Sequence, residues 1–365
     1  MSAHGPMPAS AWIFPTLAVL LFAGATALGV TFTPSAAGLG FAAALLVILF
    51  GTVFAAVHHA EVIAERIGEP YGTLLLTLAV TVIEVALIAT IMLGEKPTPT
   101  LARDTVFAVV MIVCNGLVGV CILAGGLRYR EQDFQVTGSN VYLSVLIVLA
   151  TITLIMPNYT LTTPGPLYSA GQLAFVSIVT MILYAVFLYT QTIRHRDYFI
   201  VESNGGGGDA AHASSRTLIV SMILLLVSLL AVVLLAKKFS LVVDAGAAAI
   251  GAPPAFAGIL VALLILLPES IAAISAARNN DLQKSINLAL GSSLATIGLT
   301  IPAVAVVAYA LDKTLVLGLE QREVILLVMT FLLSMLTFGT GRTNILFGLV
   351  HVVVFAVFVF MVFVP

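Results

Sequence analysis

Two glutamates stand inside long apolar runs, where their type and depth suit cation binding and proton carriage. Glu84 lies in Thr81-Val82-Ile83-Glu84-Val85-Ala86-Leu87-Ile88, with no basic residue near enough in sequence to pair with it on its own helix. Glu269 lies in Leu266-Leu267-Pro268-Glu269-Ser270-Ile271-Ala272-Ala273-Ile274, after a proline that frees the backbone carbonyl four residues earlier. An ionised side chain at bilayer depth costs about 2.5 kcal/mol or more, so such a residue normally faces a protein interior or a water-filled cavity. The bland alternative is a protonated glutamate used for helix packing. Matching glutamates in the two halves of the chain favour a cation pathway instead.

Oxygen ligands are available near both. Thr77 and Thr81 precede Glu84, Asn115 lies in the next apolar run, Ser270 follows Glu269, and Ser292, Ser293 and Thr296 come after it. Calcium takes six to eight oxygens, so carboxylates supplemented by hydroxyls and an amide are a fitting set. Taken singly, each hydroxyl serves equally well as a bond to its own helix carbonyl or as a close helix contact. Only Glu84 and Glu269 are assigned as metal-binding residues. His58, His59, Glu61 and Glu65 cluster near the end of an apolar run, as a proton relay or cation vestibule on one reading and a solvated helix end on the other.

The elements that must hold these residues are membrane helices. Hydrophobic residues make up 61% of the 365 positions and charged ones only 9%, against roughly 25% charged in a soluble domain. Windows of about 20 apolar residues, the length that crosses a bilayer core, recur eleven times. They cover residues 12–32, 36–57, 71–93, 105–127, 139–157, 168–191, 217–236, 246–277, 285–311, 322–340 and 344–364. A barrel is excluded because stretches such as 219–236 are continuously apolar rather than alternating. The fold class is therefore all-α and polytopic.

Residues 194–216 form a linker rich in glycine, including Gly205 to Gly208, and split the chain in two. Residues 1–35 hold an N-terminal segment and the first span, 36–193 a first set of five spans, and 217–365 a second. Five spans on each side give the halves opposite orientations, the arrangement of inverted-repeat transporters. Nine of the fifteen basic residues, Arg66, Arg128, Arg278 and Arg342 among them, fall on the side of the N-terminus and linker. The positive-inside rule then makes that side cytoplasmic.

Other functions lack their signatures. A net charge of -2 provides no basic stripe for nucleic-acid phosphates. Neither a Gly-x-x-x-x-Gly-Lys-Ser/Thr loop nor a His-Glu-x-x-His helix is present, so ATP-driven transport and an intramembrane enzyme are disfavoured. Cys114 and Cys121 fall inside one apolar run and act as small hydrophobes.

Several strings resemble the calcium/cation antiporter superfamily, most closely the bacterial ChaA-type calcium/proton antiporters. In the first half they are Gly72-Thr73 through Glu84-Val85-Ala86, Ala102-Arg103-Asp104-Thr105-Val106-Phe107 leading to Asn115-Gly116, and Leu127-Arg128-Tyr129-Arg130-Glu131. In the second they are Leu267-Pro268-Glu269-Ser270 and Asn287-Leu288-Ala289-Leu290-Gly291-Ser292-Ser293, continuing to Pro302. The resemblance covers nearly the whole chain. It implies one leading helix plus two inverted five-helix repeats, with Glu84 and Glu269 matching the carboxylates that bind cation and proton in turn. The related vacuolar-type exchangers carry Gly-Asn-Ala-Thr or Gly-Asn-Ala-Ala before the glutamate, whereas Val80-Thr81-Val82-Ile83 and Ile265-Leu266-Leu267-Pro268 stand here.

The function expected is exchange of Ca2+ for H+ by alternating access, with no cofactor and with Ca2+ and H+ as substrates. Sodium/proton or potassium/proton exchange is the runner-up, and a passive cation channel the alternative of another class. The expected location is a bacterial inner membrane.

Overall fold

The computed structural model describes residues 7–30, 35–68, 71–94, 98–199 and 215–364. Among them eleven helices are long and apolar enough to cross a membrane: α1 Ser10–Ala27, α2 Ala36–Ile67, α3 Tyr71–Met92, α4 Leu101–Tyr129, α5 Val136–Tyr159, α6 Ala170–Arg194, α7 Arg216–Ala249, α8 Ala255–Arg278, α9 Leu282–Ala310, α10 Gln321–Phe338 and α11 Ile345–Phe363. This is an integral membrane protein of the expected all-α class. The glycines 205–208 of the linker lie outside the described residues.

Several boundaries differ from the sequence expectation for identifiable reasons. α2 continues ten residues past the expected end, through His58, His59, Glu61 and Glu65, until Gly68 stops it at φ +78. A glycine in the left-handed region is the common helix terminator. α7 was expected to end before Lys237, but Lys238 donates to the Val30 carbonyl at 2.7 Å and the helix runs on to Ala249. α8 accordingly starts at Ala255 rather than 246, immediately after Pro253 and Pro254, which disfavour helix before them and suit a helix start. α4 begins at Leu101, four residues early, which draws Arg103 and Asp104 into its first turn.

Polar caps fix other starts. Ser169 and Gln172 form a reciprocal capping box on α6, the Asp281 carboxylate accepts from the Lys284 amide on α9, and Asn344 accepts from the Leu346 amide on α11. One small sheet joins the connections flanking α4 and α11: β1 Glu131–Asp133 pairs antiparallel with β2 Arg342–Asn344. Arg342 there bonds Asp133 at 2.8 Å and Glu131 at 3.4 Å, and these two carboxylates raise its pKa above the usual guanidinium value.

The chain packs as two compact units, Met1–Pro97 with Ser203–Ala252, and Thr98–Glu202 with Pro253–Pro365. Each draws on both halves of the sequence. In the first, α2 packs against α1, α3 and α7, and α3 against α7. In the second, α4 packs against α8, α9, α10 and α11, and every residue from 101 to 119 is buried. Its approach to α11 is set by glycines: a Cβ on Gly119 would lie 2.8 Å from Val352 Cγ2 and 3.0 Å from the Gly348 carbonyl.

Among the described residues four helices widen for one turn into π-helix: α4 at Ile112–Leu117, α5 at Thr151–Ile155, α6 at Thr190–Arg194 and α9 at Thr296–Thr300. Such turns disturb the regular backbone ladder and are frequent at functional sites.

Candidate intramembrane cation and proton site

In the first unit, Glu84 is only 1% exposed and stands roughly 20 Å along α3 from Tyr71, at 1.5 Å per residue. Thr81 and Thr77 precede it by three and seven residues, a spacing that puts all three on one face. Thr81 is buried beside it. The Thr77 hydroxyl donates to the Thr73 carbonyl of its own helix at 2.9 Å, the local bond that competes with ligand duty.

The histidine cluster divides. His59 is fully buried within α2 rather than at its end, with Nε2 2.9 Å from the Ala11 carbonyl and Nδ1 3.3 Å from Ser221 Oγ. An Nε2–H tautomer satisfies both contacts, so His59 ties α2 to α1 and α7. The His58 ring lies 5.5 Å from that of His59 and is half-buried. Glu61 and Glu65 are exposed.

In the second unit, Glu269 sits roughly 20 Å along α8 at the same rise, half-buried. The helix passes through Pro268 unbroken, although proline removes the amide that would have bonded the Leu264 carbonyl. Ser270 is half-buried next to it. On α9, which packs against α8, Ser292 is half-buried and Ser293 fully buried. Ser293 Oγ has no hydrogen-bond partner among the described residues. Thr296 is buried at the head of the π turn.

Asn115, in the π turn of α4, is drawn into a polar set that sequence reasoning missed. Its Nδ2 donates to Thr330 Oγ1 at 2.8 Å, and its Oδ1 lies 3.3 Å from His351 Nδ1. His351 Nε2 lies 2.9 Å from Thr337 Oγ1. Thr330 passes its own proton to the Leu326 carbonyl at 2.8 Å. All four residues are fully buried, as is Ser334 on the same stripe of α10. Two signals pointed here. Thr330, Ser334 and Thr337 recur at i, i+4 and i+7, one helix face, and His351 is an ionisable residue inside an apolar run, the criterion that selected the glutamates.

A second miss lies at the start of α4. Asp104 lies just outside the expected span of 105–127, yet it is 6% exposed and Arg103 7%. Arg103 Nη2 meets Asp104 Oδ1 at 2.7 Å, Thr100 donates to Oδ2 at 2.8 Å, and Arg103 Nη1 donates to the Gly318 carbonyl at 3.1 Å. The lowered start of α4 carries this pair inside.

Among the described residues, no group of three or more His, Cys, Asp or Glu is placed to hold a metal ion. Hydroxyl, amide and backbone oxygens are the donors that could supplement each carboxylate. Hard cations accept that donor set, and weak incomplete sites suit an ion that must leave again.

The model of the sodium/calcium exchanger protein family matches residues 36–193 and again 220–364. The chain is 44% identical over 319 residues to y4hA of Sinorhizobium fredii (strain NBRC 101917 / NGR234), covering 87% of each chain. It is 36% identical over 322 residues to the sodium-potassium/proton antiporter ChaA of Escherichia coli (strain K12), again covering 87% of each. The fold is shared with native YfkE, with a TM-score of 0.73 at 17% identity over 97% of this chain and 100% of that one. It is shared also with the H+/Ca2+ exchanger CAX, with a TM-score of 0.69 at 14% identity over 96% and 89%.

Proposed function

The chain belongs to the sodium/calcium exchanger family, and from that premise we propose that it exchanges Ca2+ for H+, with Glu84 and Glu269 carrying cation and proton in turn. The observation that carries the reading is the burial of Glu84 deep in an apolar helix. A carboxylate there is stable when it is protonated or when it has a cation beside it, and unstable when bare. Protons and cation consequently compete for it, and that competition is the basis of antiport. Coupling follows if the protein changes its access only in the two neutralised states.

Thr81 beside Glu84, and Ser270, Ser293 and Thr296 in the unit that holds Glu269, are the proposed supplementary oxygens. Asn115 belongs to the same pathway through the π turn of α4. His58, Glu61 and Glu65 remain as a proposed proton or cation entrance, and His59 takes a packing role. The proposed location is the bacterial inner membrane with the N-terminus in the cytoplasm, on the distribution of basic residues between loops.

A second reading has its own support. The Escherichia coli relative at 36% identity is a sodium-potassium/proton antiporter, and the same carboxylates serve monovalent cations equally well. The deciding experiment is cation-evoked dissipation of an imposed pH gradient in reconstituted vesicles, with Ca2+, Na+ and K+ added separately. Calcium-evoked proton movement that is lost in Glu84→Gln and in Glu269→Gln supports the proposal. A response to Na+ or K+ alone promotes the second reading. Undiminished exchange in either variant removes that glutamate from the mechanism, and cation flux indifferent to the proton gradient would indicate a channel.

A further inference from the structure

The π turn of α4 is served by one side chain from a helix more than 200 residues away. His351 Nδ1 lies 3.3 Å from Asn115 Oδ1. That acceptor belongs to Ile112–Leu117, the widened turn. A π turn disrupts the regular ladder of carbonyl acceptors, and a buried carbonyl so displaced needs another donor. The π turn of α5 is met by such a donor, with the Tyr168 hydroxyl donating to the Ile152 carbonyl.

The hydrogen bonds around His351 are directional. Thr337 Oγ1 has a proton to donate, and Nε2 at 2.9 Å accepts it, which leaves the ring proton on Nδ1, facing Asn115. Asn115 Oδ1 then accepts, so its Nδ2 faces Thr330 and donates at 2.8 Å. Thr330, whose own proton goes to the Leu326 carbonyl, and the Nδ1–H of His351 together set which end of the Asn115 amide faces α11. The glycines Gly119 and Gly348 bring the two helices close enough for this contact, since a Cβ on Gly348 would stand 2.9 Å from Leu123 Cγ and 3.0 Å from the Gly119 carbonyl.

We propose that His351 is a positioning residue for transport, helping to fix the orientation of the Asn115 carboxamide in the π turn of α4. The inference rests on the reading of Asn115 as part of the cation pathway. His351 itself touches no substrate in this scheme. Its contribution lies in its Nδ1–H donor, an atom that an asparagine amide reproduces in position and a glutamine amide does not.

The test compares Glu84→Gln, Asn115→Ala, His351→Ala, His351→Gln, His351→Asn and the Asn115→Ala/His351→Ala double variant in reconstituted vesicles. Apparent KM and maximal rate are read for Ca2+, Na+ and K+, and thermal unfolding in detergent reports folding. His351→Ala and His351→Gln are expected to raise apparent KM about tenfold, the order of one lost hydrogen bond, while His351→Asn stays within about twofold of wild type. The double variant should be no worse than Asn115→Ala alone. If His351→Ala does not fold, His351→Gln, which retains most of the volume, carries the comparison. With Glu84→Gln inactive, wild-type kinetics in His351→Gln, failure of His351→Asn to rescue, or multiplying effects in the double variant would each overturn the inference alone. Unimpaired exchange in Glu84→Gln or in Asn115→Ala would instead overturn the reading on which it rests.

Discussion

α4 and α9 each carry charge at their start, α4 in its first turn and α9 at its cap, and each widen into a π turn midway, but the two starts differ in burial. α4 starts on the buried Arg103–Asp104 pair and is enclosed on every face as far as Gly119. Its π turn is clamped by hydrogen bonds from α10 and α11. α9 starts on Asp281, an exposed cap bonded to its own Lys284 amide, and is tied to α8 where Ser285 donates to the Ala273 carbonyl. Gly298 in its π turn stands so close to α6 that a Cβ would lie 2.7 Å from that of Tyr184. Hydrogen bonds specify side-chain direction as well as position, whereas close packing specifies position alone. The directional arrangement accompanies Asn115.

Removing charge from the two helix starts should expose the difference most plainly. Arg103→Ala leaves Asp104 buried without its guanidinium and is expected to destabilise the protein by about 3–5 kcal/mol, seen as a large drop in the unfolding midpoint in detergent. Asp281→Ala loses an exposed cap and should forfeit only about 1 kcal/mol. Equal shifts for the two would erase the contrast. Between them, Gly298→Ala overpacks the α9 turn against Tyr184 and should cost about 1–3 kcal/mol, while exchange by the folded fraction keeps its cation preference. A changed preference would mean that the α9 turn also orients ligands.

The smallest effect concerns the third π turn, in α5. Partial burial pushes the Tyr168 hydroxyl up to about 12 from 10, and the neutral phenol is the form that donates to Ile152. Above pH 10 the unfolded phenol gives up its proton while the folded one keeps it, so stability falls as pH rises from about 10 to 12. Tyr168→Phe should lose about 1 kcal/mol at neutral pH and show a shallower decline across that alkaline window. An unchanged decline would assign it to other groups.

Much of the molecule could be read without coordinates. The eleven spans are set by the length of apolar chain that a bilayer requires, a constraint local to each segment. Glu84 and Glu269 were conspicuous because a carboxylate in an apolar run must find an interior, whichever neighbours provide it. Asn115 was marked by the same logic, but its partners were not. Thr330 and His351 stand 215 and 236 residues further along the chain, and no local pattern joins them. Lys238 lay beyond the expected end of a span until Val30 accepted its proton, and Asp104 lay outside one until α4 began one turn earlier. In each case sequence specifies what a residue needs, namely a donor, an acceptor or a counter-charge. Only the packing of distant helices decides which residue meets that need, because side-chain hydrogen bonds depend on distances of about 3 Å that no spacing along one chain can fix.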